Sequence, residues 1–207
     1  MYQIRRKKAM LSLLAVAALM IATLGILVPK AHAVPVSITD VYTANDVVAQ
    51  GFLIKGTTSE IHIKMPVYVV LVNSDAEGNQ SVTVGIYADN VSASDKQAVE
   101  LTPSETRTLT FLWDTFGVTL GNHTLSAAID GSGEIFVDGQ VQVIFPGDVN
   151  QDLKVDMKDA GDIVLAFNLF HDNPDTFNHF ADLDGNGRID LRDVGTWALN
   201  FGRTYTP

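Results

Sequence analysis

The stretch DLDGNGRID, Asp182–Asp190, puts an oxygen-bearing side chain at every second position, with Gly185 and Gly187 among them. Asp182, Asp184, Asn186, Asp190 and Asp193 fall at positions 1, 3, 5, 9 and 12 of a twelve-residue loop, and Arg188 at position 7 offers its backbone carbonyl. Ca²⁺ takes roughly six to eight hard oxygens at about 2.3–2.6 Å, and a loop with donors at alternating positions can fold around one ion. Thirty-four residues upstream the pattern recurs as Asp148, Asn150, Asp152, Lys154 (backbone carbonyl), Asp156 and Asp159. A polar turn would account for one such loop. Two in register point to two calcium ions, one per loop.

The two loops are not equal. Position 6, where the sharp turn favours positive φ, is Gly187 in the second loop and Leu153 in the first. A branched residue in left-handed geometry costs on the order of 1 kcal/mol, so the first site is expected to be the weaker or the more strained. Position 8 is apolar in both, Val155 and Ile189, as expected where two such loops lie side by side.

Each loop runs into a helical period. Ala160, Ile163, Val164 and Phe167 in Met157–Phe170, and Val194, Trp197, Ala198 and Phe201 in Leu191–Tyr205, recur at helix spacing and at the same 34-residue offset. Upstream, from Val34 to about Phe145, the pattern is that of strands: Val36–Tyr42, Ile61–Ser74, Ser81–Ala88, Arg107–Trp113, His123–Ile129 and Gln140–Phe145 alternate between turn-rich breaks. Pro66 cannot donate to a ladder and marks a bulge or a sheet edge. Alternation in Arg107–Trp113 puts Leu109, Phe111 and Trp113 on one face, which reads as core; an outward Trp113 would instead suit stacking on a carbohydrate. The fold class is therefore mainly β with a small α module, an immunoglobulin-like β-sandwich followed by a duplicated loop–helix unit.

The two motifs GDVNQDLKVDMKD and ADLDGNGRIDLRD lack an entering helix and carry Asp at position 12, where the ordinary EF-hand has Glu. A duplicated loop–helix unit of this kind resembles the dockerin family over residues 147–203. The resemblance implies two Ca²⁺ ions and a cohesin-like protein partner at a cell surface. Family recognition residues commonly stand at loop positions 10 and 11, often as a Ser/Thr pair; here those positions hold Met157 and Lys158, then Leu191 and Arg192. Segments such as LTPSETRTLTFLWDTFGVTLGNHTLSA resemble the adhesion-related, CARDB-type immunoglobulin-like modules of bacterial and archaeal surface proteins.

The first 33 residues stand apart. Arg5, Arg6, Lys7 and Lys8 precede an uncharged apolar run, Ala9–Val28, and an AHA end at Ala31–Ala33. That is the layout of an export signal, although the run is also long enough for an anchor. The expected organisation is 1–33 as signal peptide or N-terminal membrane anchor, 34–146 as sandwich and 147–207 as calcium module, with secretion or cell-surface display.

Without that segment the chain has nine basic residues against 24 acidic ones, a net charge of −15. Such a surface disfavours nucleic acid and anionic membranes and attracts cations. With no cysteine, an exported chain has no disulfide to staple it, and bound metal is an alternative cross-link. His62, His123, His171 and His179 show no zinc spacing, and the sandwich carboxylates Asp40, Glu60, Glu100 and Glu105 are scattered. No nucleophile elbow or phosphate loop occurs, so an enzyme is not expected. Sequons begin at Asn79, Asn90 and Asn122.

Overall fold

Alternating side chains along the strands fold into two facing sheets. The computed structural model describes residues 35–132, 135–170 and 176–206, with backbone alone for residues 135 and 137–139. The expected signal or anchor and His171 lie outside the described residues. No helix among those described is long and apolar enough to cross a membrane.

The first sheet is antiparallel, with strand order β1 (Val36–Thr43), β5 (Lys64–Asn73), β9 (Thr106–Asp114). The second runs β2 (Val47–Ala49), β11 (Ile135–Ile144), β10 (Gly121–Ile129), β6 (Gln80–Ala88), β7 (Val91–Ser92), and β8 (Gln97–Leu101) also pairs with β6. The β2–β11 pair is parallel. A small hairpin joins β3 (Phe52–Leu53) to β4 (Glu60–Ile61). The short strands β2, β3, β4, β7 and β8 are too brief to announce themselves by alternation.

Residues that alternate inward fill the space between the sheets. Met65, Val67, Val69 and Leu71 from β5 and Phe111 and Trp113 from β9 are buried, as are Val84, Ile86, Leu125, Ala127, Val141 and Val143 from the second sheet. Leu109 packs partly buried against the same core, as its register predicts. Trp113 is 2% exposed and meets His123 edge-on at 5.9 Å, so the sandwich tryptophan does not offer a stacking face for a carbohydrate. Pro66 stands one residue beyond the last β1 pair, Thr43 with Val67, where β5 is locally a sheet edge; the bulge lies instead in β1, between Ile38 and Asp40.

The helical unit follows without a linker. Gly147 adopts φ +91, and a Cβ there would stand 3.2 Å from the Trp197 Cα, so chain and helix approach at a point only glycine fits. Helix α1 is Met157–Ala166 and helix α2 is Leu191–Asn200, each shorter than its sequence period suggests. Asn168 and Gly202, again 34 residues apart, take φ of 65 and 76 and turn the chain just past each helix.

The buried stripe also differs from the apolar period. Asp159, Ile163 and Ala166 face inward on α1, and Asp193, Thr196 and Asn200 on α2, while Val164, Phe167, Ala198 and Phe201 are exposed. Each stripe is set by the inward Asp at loop position 12.

Residues Val34–Pro207 form one compact unit. Val149, Ile163, Ala166, Phe177, Ala181, Leu183 and Ile189 belong to the same buried cluster as Met65, Trp113 and Val143. The boundary expected at residue 146 is therefore crossed by a continuous core.

Candidate metal centre

Both loops are built by the same bonds. In the first, Asp148 accepts from Asp152 N (3.0 Å) and Leu153 N (2.9 Å); in the second, Asp182 accepts from Asn186 N (3.1 Å) and Gly187 N (2.8 Å). Asp159 accepts from Val149 N, Asn150 N and Asp156 N, and Asp193 from Leu183 N, Asp184 N and Asp190 N. Asn150 and Asp184 receive Asp152 N and Asn186 N. Asp156 and Asp190 cap the helices, each accepting from the amide two residues on and closing a capping box with position 12. One aspartate pair thus ends each loop and starts each helix.

Positive φ falls at positions 4 and 6 in both, at Gln151 and Leu153 (58 and 67) and at Gly185 and Gly187 (66 and 83). Leu153 adopts the left-handed turn expected of it and is 41% exposed. Replacing Leu153 by glycine is expected to raise stability by about 1 kcal/mol and to strengthen cation binding at the first loop. Denaturant melts of the two proteins, with and without Ca²⁺, would check it; an unchanged or lower stability would mean that Leu153 earns its place by contact.

The loops do not pair with each other at position 8. Val155 N donates to Arg203 O and Val155 O accepts from Gly202 N, while Ile189 N donates to Leu169 O and Ile189 O accepts from Asn168 N. Each loop is stitched to the chain leaving the other unit's helix. Isolated bridges Lys154–Thr204 and Phe170–Arg188 extend this exchange. The Arg188 guanidinium lies 4.9 Å above the Phe170 ring.

Among the described residues, Asp182, Asp184 and Asp193 form a carboxylate cluster, with one oxygen of each within 4.8 Å of the others. Burial pushes the Asp182 carboxyl up to about 8, with the nearby Asp193 and Asp184 charges acting in the same direction. Burial also raises Asp193 to about 6 and lifts Asp184. Such a group of acids is costly to keep ionised without a counter-charge. All its donors are hard oxygens, which suits Ca²⁺ or Mg²⁺ rather than a soft metal. In the first loop Asp148 is raised by burial, but position 3 is the neutral Asn150 and Asp152 is exposed, with Lys158 Nζ 3.7 Å away. Each loop carries four aspartates, but the acid that stands at position 3 in the second, Asp184, is replaced in the first by the exposed Asp152 at position 5, so the first buries less charge together.

Sequence reasoning missed Asn45 and Ala49, which bond to the second loop from the sandwich, and Asp46, which pairs with His179 just before it. No local motif marks them. His179 is half-buried against Asn45 and Asp46; His62 and His123 also pair with carboxylates, Asp114 and Asp89. Asn79, Asn90 and Asn122 are exposed.

No family model matches this chain. No curated protein matches it. Among solved structures it is similar to the crystal structure of a CARDB domain from Pyrococcus furiosus in complex with di-metal ions. That match has 19% identity and a TM-score of 0.38, covering 53% of this chain and 87% of that one. The solution structure of the same archaeal domain matches at 18% identity and a TM-score of 0.36, covering 53% and 94%.

Proposed function

We propose that the chain is a non-catalytic, exported structural or adhesive protein in which two Ca²⁺ loops stiffen a helical pair packed on its own β-sandwich. The observation that carries this reading is the continuous core, in which Val149, Leu183 and Ile189 of the loops join Met65 and Trp113 of the sandwich. Asp148, Asn150, Asp152, Asp156, Asp159 and the Lys154 carbonyl would serve one ion. Asp182, Asp184, Asn186, Asp190, Asp193 and the Arg188 carbonyl would serve the other. Bound cation would supply the positive charge that the buried aspartates lack, and would couple occupancy to folding.

The two tryptophans allow a direct test, because Trp113 lies in the sandwich and Trp197 on α2. Ca²⁺ titrated into chelator-treated protein should fill two sites. In each single-tryptophan variant, Trp113→Phe and Trp197→Phe, the remaining fluorescence should melt together with the far-ultraviolet circular dichroism of the whole chain, and Ca²⁺ should raise both. Two separate transitions, with only the Trp197 signal moved by Ca²⁺, would replace this reading with an independent module on a passive sandwich.

A second reading is favoured by a repeated surface. Met157 and Leu191, Leu165 and Leu199, and Phe167 and Phe201 are exposed pairs at the 34-residue offset, with Leu165 85% exposed. Apolar residues held outward in duplicate suit attachment to a protein partner, and the dockerin resemblance makes that partner cohesin-like. Capture of purified cohesin modules in Ca²⁺, lost in a Leu165→Glu/Leu199→Glu variant, is its expected result; no capture would leave the self-contained reading alone.

A further inference from the structure

The side chain that fastens the second loop comes from the far end of the described chain. Asn45, in the connection between β1 and β2, is 1% exposed. Its Nδ2 donates to the carbonyls of His179 (2.8 Å) and Asp182 (3.4 Å), and its Oδ1 lies 2.7 Å from His179 Nδ1. Asp182 is thereby held at both ends: its carbonyl by Asn45, its carboxylate by the amides of Asn186 and Gly187. Beside it, Ala49 N of β2 donates to Leu183 O at 2.8 Å.

Loop and sandwich are also in tight contact at position 4. A Cβ on Gly185 would stand 3.0 Å from Met65 Cγ and 3.3 Å from Val47 O, so the loop backbone lies directly on the strands. The matching residue of the first loop, Gln151, is exposed and accepts one long bond from Gln142 Nε2 of β11 (3.4 Å), and Asp148 N donates to the adjacent Phe145 O. The two loops share their internal bonds and differ in what stands behind them.

We infer that Asn45 is a positioning residue for the second cation site, and that this site and the β1–β2 edge of the sandwich are energetically coupled. The inference rests on the cation reading above. Asn45 fixes the backbone of position 1, which aims the Asp182 carboxylate; in return, a cation held by Asp182, Asp184 and Asp193 fixes the carbonyls that Asn45 and Ala49 bind. Coupling between two binding events is reciprocal, so a docked β2 tightens cation binding by the factor with which cation tightens β2 docking. The first site meets that edge only through the exposed Gln151–Gln142 bond, so it is coupled to the edge far more weakly.

The test uses the full chain and Ca²⁺ alone. Calorimetric titration would give the two affinities, and the amide resonances of Leu153 and Gly187 would assign them to the first and second loop. Asn45→Ala is expected to weaken the second site by roughly tenfold and leave the first within about twofold. Asn45→Asp, which keeps the oxygen facing His179 but loses the amide donor, should weaken the second site as much. Should these variants fail to fold, wild-type hydrogen exchange carries the test: Ala49 N–H protection should rise at least about tenfold as the second site fills and respond far less to the first. Equal weakening of both sites, no weakening of the second, or Ala49 exchange that ignores Ca²⁺ while two ions bind would overturn the coupling and leave the cation reading intact. Failure of the wild-type chain to bind Ca²⁺ would overturn the cation reading itself.

Discussion

Replacing Asp193 by alanine is expected to abolish cation binding at the second loop. At about pH 5, where the carboxyl is protonated and carries no buried charge, it should also lower stability by about 1–3 kcal/mol even in the absence of cation. Asp193 is fully buried and accepts from three backbone amides, Leu183 N at 2.7 Å, Asp184 N at 3.3 Å and Asp190 N at 2.7 Å. Truncation leaves those donors without partners inside the protein, and a buried unsatisfied donor costs about 1–3 kcal/mol. It also removes half of the capping box that starts α2. At about 2–4 °C per kcal/mol for a chain of this size, the melting temperature should fall by roughly 5 °C. Asp159→Ala breaks the equivalent bonds in the first loop, but that loop is less enclosed by the sandwich, so the loss should be smaller. Thermal melts of both variants in chelator at that pH would decide. A fall of under about 1 kcal/mol for Asp193→Ala would show that the loop does not depend on its position-12 anchor.

Stability in chelator should fall as pH rises, and Ca²⁺ should remove that fall. The folded, cation-free chain holds Asp182 near 8 and Asp193 near 6, chiefly through burial, whereas an unfolded aspartate ionises near about 4. Between those values the folded state binds protons that the unfolded state has released. Stability contributed by these protons is complete below about pH 4 and is lost as pH climbs through 6 and then 8. A bound cation takes the proton's place and requires the carboxylates ionised, so its affinity should increase over the same window. Melting temperatures measured from about pH 5 to 9, in chelator and in saturating Ca²⁺, should diverge steadily, with the largest gain from Ca²⁺ at the alkaline end. Parallel curves would mean that these aspartates neither share protons nor bind the ion.

The candidate site was legible because its chemistry is local. Twelve residues suffice to set the donors of each loop, and the 34-residue repeat separates pattern from coincidence. Position 6 was legible for the same reason: a sharp turn imposes its φ whatever the surroundings, and Leu153 takes a φ of 67 beside 83 for Gly187. Helix ends and faces were less so. Apolar spacing continues through Phe167 and Phe201, yet Asn168 and Gly202 turn the chain there, and the anchoring aspartates rotate the buried stripe away from Val164 and Ala198.

By itself the sequence determined the strand-rich texture, the inward register of Phe111 and Trp113, and the two oxygen-donor loops, all of which follow from side-chain period or from spacing within one turn of chain. Only the tertiary structure decided which parts meet. The exchange of Val155 and Ile189 to the far ends of opposite units, the merging of loop and sandwich cores, and the grip of Asn45 on Asp182 join residues up to 137 positions apart. Such contacts leave no period in the sequence, because they are selected by the packing of whole faces rather than by the preferences of neighbouring residues.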